Sequence, residues 1–364
     1  MIPDILKWGK RQLDKLGSPE LDWVQVEVTT RCNAACIYCP HTLLRKRWTD
    51  RDMPMGVFRR LIPFLKYTDL VYLQGWGEPL LNENLFEMIR ICRDRGKRVG
   101  LTTNGMLLTD KTLQTLVDLK LDVLGISLAG THSKTHNRIR KGTDLDRIIS
   151  SLEALRTIKD AKETQRPSVH LAYLMLKSNF DELRKIVSLA KAVGAEQVVA
   201  SNLTLILDPK LSAEAIFDDT GEKDYYRTTL EEIKKKAHGE KMVFEYHGPA
   251  LDDTSLVCRE NVRAACVISV GGEVIPCVLM DPVLSDKRMP REKGPCHYIF
   301  KGQRLPLNSL FFGSIETESL TEIWYRRDYS AFRDLFAPRT TERPGQIVSQ
   351  MPQCCVACYK RLGA

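Results

Sequence analysis

Cys32-Asn33-Ala34-Ala35-Cys36-Ile37-Tyr38-Cys39 places three thiols four and then three residues apart, directly behind the alternating apolar run Val24, Val26, Val28. Such alternation predicts a strand over 23–29, so the cysteines occupy the loop leaving its carboxyl end. A four-iron, four-sulfur cluster normally takes four thiolates, so a loop that supplies three leaves one iron open to a small-molecule ligand. The competing readings are zinc and inert buried thiols. Structural zinc takes four ligands, usually as paired cysteines separated by a longer span, and His41 is the nearest fourth candidate.

Working outward, strand patterns at 69–74, 98–103, 122–128, 168–176 and 196–202 alternate with helical patterns near 56–67 and at 84–95, 109–119, 144–158 and 179–193. Six βα units predict a parallel sheet with right-handed crossovers, and so few repeats predict an open partial (β/α)6 barrel in an α/β fold. Ligands of such folds bind at the carboxyl ends of the strands. Three further motifs fall there. Gly75-Trp76-Gly77-Glu78-Pro79 follows the second strand, where glycine permits close backbone approach to a ligand. Thr102-Thr103-Asn104-Gly105 ends the third as a tight turn. Ser127 ends the fourth, ahead of His136-Asn137-Arg138-Ile139-Arg140.

With these motifs the chain resembles the radical S-adenosylmethionine (SAM) enzymes, whose signature is three cysteines at this spacing with an aromatic residue, here Tyr38, before the last. The resemblance implies a [4Fe–4S] cluster on Cys32, Cys36 and Cys39 whose open iron holds the amino and carboxylate groups of SAM. It also implies backbone contacts to SAM from Gly75, Trp76, Gly77 and Glu78, loop shaping by Asn104, Ser127 on the ribose, and Arg140 rather than Arg138 on the SAM carboxylate. In the family the first position of the glycine pair is glycine; Trp76 stands there here, with Gly75 just before it. One electron would cleave SAM to a 5′-deoxyadenosyl radical that takes hydrogen from a substrate. The radical belongs to the cofactor, and the protein positions and shields it.

Residues 206–257 lack a clear βα rhythm and read as a bridge, with a charged helix near 224–237 and a short strand near 242–246. From Cys258 the sequence turns to cysteine, glycine and short strands, predicting a small α+β unit over 258–364. Cys266 to Cys277 reads as a hairpin turning at Gly271-Gly272, and Cys355 and Cys358 form a C-x2-C pair. Four thiolates serve zinc or iron–sulfur equally. The segment resembles the SPASM domain of radical SAM enzymes, which implies one auxiliary [4Fe–4S] cluster on Cys266, Cys277, Cys355 and Cys358. A second auxiliary cluster is not expected, because no further cysteines follow. Cys258, Cys296 and Cys354 are left over, one of them a possible extra ligand, and Cys92 reads as core. The Pro- and Gly-containing stretch 285–308 reads as a long loop over the substrate or a flexible one.

The 364 residues suffice for a barrel over 22–205 plus the smaller unit. With 43% apolar and 27% charged residues the composition is that of an ordinary globular protein. No run of about eighteen apolar residues predicts a membrane span, and residues 1–21, read as an amphipathic helix, lack a signal-peptide core, so a cytoplasmic location is expected. Eleven cysteines in such a chain point to metal or redox chemistry rather than disulfides. The net charge of +8 is scattered among acids, which disfavours nucleic acid; Arg45-Lys46-Arg47 could meet a reductase or an anionic substrate.

The resulting expectation is a radical SAM oxidoreductase or maturase of the SPASM group. It would oxidise or cross-link a peptide, protein or small-molecule substrate, with the auxiliary cluster accepting an electron and a flavodoxin- or ferredoxin-type reductant supplying one. The rivals are a non-catalytic zinc and nucleic-acid protein and an electron-transfer iron–sulfur protein.

Overall fold

The computed structural model describes residues 21–218, 221–256, 258–284, 296–337 and 344–364; the expected N-terminal helix and residues 285–295 of the long loop lie outside them. The remainder of that loop contains a hairpin, His297–Phe300 against Gln303–Pro306.

The six expected strands are present as β1 (Leu21–Val26), β3 (Thr68–Leu73), β4 (Arg98–Thr103), β5 (Val123–Leu128), β7 (Ser168–Met175) and β8 (Gln197–Asn202), and two short strands that the sequence did not signal, β2 (Ala35–Cys36) and β6 (Arg140–Lys141), lie between them in the chain. Among them β1, β3, β4, β5, β7 and β8 pair in parallel, with helices Leu85–Asp94, Asp110–Asp118, Leu145–Ala161 and Ile186–Ala192 between successive strands. Val24, Val26 and Val28 are fully buried beneath the helices. Residues of the opposite face, among them Trp23, Gln25, Tyr72, Gln74, Thr102 and His170, line one cavity of about 310 Å³. A single cavity touching six strands means that the sheet curves around a lumen.

Two findings show how the expected parts of the chain are joined. Residues 206–257 are not a plain bridge: the helix Lys223–Gly239 leads to β9 (Val243–Tyr246), which pairs in parallel with β8. The charge of that helix masked its role, yet Tyr226, Leu230, Ile233 and Ala237 recur at helical spacing and are buried. At the other edge β10 (Ala265–Ile268) pairs in parallel with β1 and carries β11 (Val274–Ile275) in an antiparallel hairpin. The order β11-β10-β1-β3-β4-β5-β7-β8-β9 therefore makes one sheet across the boundary expected at 258. Among the described residues no helix is long and apolar enough to cross a membrane.

Candidate active site

The three-cysteine loop leaves the carboxyl end of β1 and is tied down by backbone pairing. Its short strand β2 runs antiparallel to β6, with Cys36 opposite Arg140, and Ile37 N donates to Ile139 O at 3.0 Å. Asn104, in the turn after β4, donates through Nδ2 to Asn33 Oδ1 at 2.7 Å, which fixes the loop from the other side. Burial, together with the neighbouring thiols, pushes Cys32 up to about 11 and Cys39 to about 12, so metal binding would release protons.

Arg140 lies beside this triad and is only 8% exposed. Its Nη1 donates to the Tyr38 hydroxyl, and its buried Nε has no hydrogen-bond partner. Burial opposes the charge, but Tyr38 and the three thiols facing it leave the arginine pKa raised. Arg138, two residues earlier, is exposed. An orphaned guanidinium nitrogen beside three thiols fits a ligand that carries a carboxylate, because an unmade buried hydrogen bond is costly. Ser127 lies half-buried near the end of β5, its neighbour in register being Ala172.

The Gly75-Trp76-Gly77-Glu78 segment is pressed against β1 and the turn after it. A Cβ on Gly77 would sit 2.3 Å from the Thr29 carbonyl oxygen, and one on Gly75 would strike the Glu27 side chain. Glu78 is a tether. Its Oε1 accepts from Thr103 Oγ1 and its Oε2 from the Asn104 amide, each at 2.7 Å, joining this segment to the Thr-Asn-Gly turn. Trp76 turns its indole toward the C-terminal unit, donating to the Val278 carbonyl at 3.2 Å.

A buried carboxyl pair at this junction escapes a motif-based reading. Glu27 accepts from Trp76 N at 2.9 Å and from Val270 N at 3.2 Å and faces Asp281, from the loop after Cys277. Burial raises both pKa values, and for Asp281 the Glu27 charge adds to the rise. One acid precedes the cysteine loop and the other follows a distant hairpin, so no spacing in the sequence marks them as partners.

The C-terminal cysteines are gathered differently from the expectation. Cys258, Cys277, Cys355 and Cys358 line one small cavity with apolar walls that include Leu279 and Phe332. Cys266 is not among them. Its parallel register opposite Val24 turns it to the helix side of the sheet, where it is buried in the main core with Tyr329 and Phe332. The β10–β11 register pairs Val267 with Ile275, so Cys266 falls opposite Pro276 and Cys277 is one residue out of phase. The unbroken apolar run Ala264 to Ile268 was the available sign that this strand is buried on both faces. Cys92 is fully buried core as expected, and Cys296 and Cys354 lie in an apolar cluster that also takes in Cys277 and Cys358, without lining the four-cysteine cavity. Burial raises Cys258 to about 12 and Cys277 well above the thiol range. Four thiols around one apolar-walled space fit an iron–sulfur cluster. Among the described residues no three His, Cys, Asp or Glu side chains form a single-ion site, and a four-iron cluster spreads its thiolates over separate irons.

Comparison with known proteins agrees with this geometry. Residues 26–190 match the radical SAM superfamily and residues 258–359 match the SPASM iron–sulfur cluster-binding domain. The latter begins at Cys258. The tungsten-containing aldehyde ferredoxin oxidoreductase cofactor-modifying protein of Pyrococcus furiosus is 26% identical over 329 residues, covering 86% of this chain and 83% of that protein. A probable GTP 3′,8-cyclase of Metallosphaera sedula is 28% identical over 196 residues, 51% of this chain and 56% of that one. Among solved structures, Streptococcus suis SuiB bound to SAM superposes with a TM-score of 0.64 at 15% identity, covering 97% of this chain and 74% of SuiB.

Proposed function

Because the chain belongs to the radical SAM superfamily and carries a SPASM iron–sulfur domain, we propose that it modifies a peptide, protein or cofactor during maturation by removing hydrogen from it. The reduced three-cysteine cluster, when bound, supplies the electron that cleaves SAM to methionine and the 5′-deoxyadenosyl radical, and the auxiliary cluster supplies an electron acceptor. Cys32, Cys36 and Cys39 hold the first, and Cys258, Cys277, Cys355 and Cys358 the second.

The observation that carries this reading is the pairing of Cys36 with Arg140, which sets a buried, incompletely bonded arginine against three thiols. Arg140 binds the SAM carboxylate, Tyr38 holds its guanidinium, and the backbone of Gly75 to Glu78 receives the SAM amino group. Gly77 has no room for a side chain, which lets this backbone pack directly against the turn leading into the cysteine loop. Ser127 reaches the ribose from β5. The lumen below presents Gln25, Gln74, Thr102 and His170 on its wall, polar groups that orient the substrate. A flavodoxin- or ferredoxin-type protein delivers the electron near Arg45-Lys46-Arg47. The match to a cofactor-modifying protein over most of both lengths supports maturation as the setting.

The test is anaerobic reconstitution, reduction with dithionite and addition of SAM, with 5′-deoxyadenosine as the expected product even without substrate. SAM left intact beside assembled clusters would overturn the reading in favour of an electron-transfer protein. Zinc without sulfide would favour the non-catalytic alternative.

A further inference from the structure

The four-cysteine cavity holds charge as well as thiols. Its charged lining residues are Glu260, Lys360 and Arg361. Lys360 Nζ donates to Glu260 Oε1 in an ion pair whose side chains are only 21% and 18% exposed. Each partner follows a cysteine of the set by two residues, Glu260 after Cys258 and Lys360 after Cys358. Arg361 is committed elsewhere: its guanidinium donates to the carbonyls of Cys355, Asp253, Ser255 and Val356, stitching together the segments that carry Cys258 and Cys355.

A charge in this low-dielectric wall acts on its neighbours far more strongly than one in water, and the potential of an iron–sulfur cluster depends on the net charge around it and on solvent exposure. We infer that the Glu260–Lys360 pair sets the reduction potential of the auxiliary cluster, Lys360 raising it and Glu260 lowering it. The inference rests on the four-cysteine cluster proposed above. Reduction adds one electron to that cluster without forming or breaking a bond. The added negative charge is stabilised by the ammonium and destabilised by the carboxylate. Holding both charges at the same wall places the potential between the values that either charge alone would impose, and the electron taken from the substrate radical arrives there.

The experiment is a redox titration followed by electron paramagnetic resonance on the full chain, with Cys32, Cys36 and Cys39 replaced by Ala so that only the auxiliary signal remains. Lys360→Met should lower the midpoint and Glu260→Gln should raise it. Each shift is expected to change the oxidised-to-reduced ratio about tenfold at fixed poise, ~59 mV for one electron. Lys360→Arg, which keeps the charge, and the doubly neutral variant should stay near the parent. A purely structural ion pair would not move the potential in opposite directions. An assembled cluster whose midpoint is unmoved, or moves the same way in both variants, overturns the inference and leaves the cluster assignment standing. A parent without iron in this background overturns the assignment, and the inference with it.

Discussion

The two cysteine sites differ in how their thiols are brought together. Cys32, Cys36 and Cys39 come on one loop, held by pairing with β6 and by the Asn33–Asn104 contact. Cys258, Cys277, Cys355 and Cys358 come on three separate segments, of which those carrying Cys258 and Cys355 are joined by Arg361 and by the Glu260–Lys360 pair. A site carried on one loop is specified by spacing, because chain connectivity keeps the thiols close. A site assembled from distant segments is specified by whatever fixes each segment's register, and a one-residue error sends a side chain to the other face.

The most severe way to probe this contrast is to remove the first site whole. Replacing Cys32, Cys36 and Cys39 together by Ala should abolish deoxyadenosine formation while the auxiliary iron remains, measured by iron analysis alongside product chromatography. Loss of all iron would overturn the assignment of a second cluster to the four distant cysteines.

Single substitutions then separate the two candidate first ligands of the second site. Cys258→Ala should remove roughly half the iron, four of about eight atoms if each site is a four-iron cluster, and so should replacing Cys355 and Cys358. In each case SAM cleavage should persist and product should fail. Cys266→Ala should leave iron content unchanged, since that thiol is packed in the main core. The reverse pattern would restore Cys266 as the ligand.

A smaller effect tests what the strand pairing adds to the first site. Charge-assisted hydrogen bonds of this kind contribute about 1.5–3 kcal/mol, so Arg140→Ala should weaken SAM binding by about ten- to a hundredfold by equilibrium titration. Exposed Arg138→Ala should not change it. Weakening by Arg138→Ala alone would mean that the carboxylate is held by the other arginine.

The smallest effect concerns the junction between the sites. Glu27 and Asp281 hold their protons more tightly folded than unfolded. Their contribution to stability is therefore full below the unfolded carboxyl pKa, about 4, and is lost as pH rises toward the raised folded values. Asp281→Asn should flatten this decline, read as thermal midpoints of reconstituted protein at successive pH values. An equally steep decline would show that the pair does not share a titration.

Much of the fold was legible because its signals are local. Apart from β1, which runs Leu21–Val26 where 23–29 was expected, strand ends fell within one residue of their expected positions, since alternation reports one buried face and the glycine and asparagine turns mark where it stops. The helix expected near 56–67 divides into a short α-helix, Met55–Arg59, and a 3-10 segment, Ile62–Tyr67, with proline inside the latter. Less legible was anything that depended on the opposite strand. The short edge strand β9 is preceded by a strongly charged helix, and the apolar run in β10 does not say which sheet it joins.

By itself, then, the sequence determined the parallel α/β core, the three-thiol loop at a strand's carboxyl end and the presence of a second cysteine-rich unit, because each follows from spacing within a few residues. Only the tertiary structure decided that Arg140 stands against Cys36, that Glu27 meets Asp281, and that Cys258 rather than Cys266 joins the distant cysteines. The physical reason is the pleat. Neighbouring residues of a strand point to opposite faces, and which face becomes core and which becomes site is set by the register of partners far away in the chain.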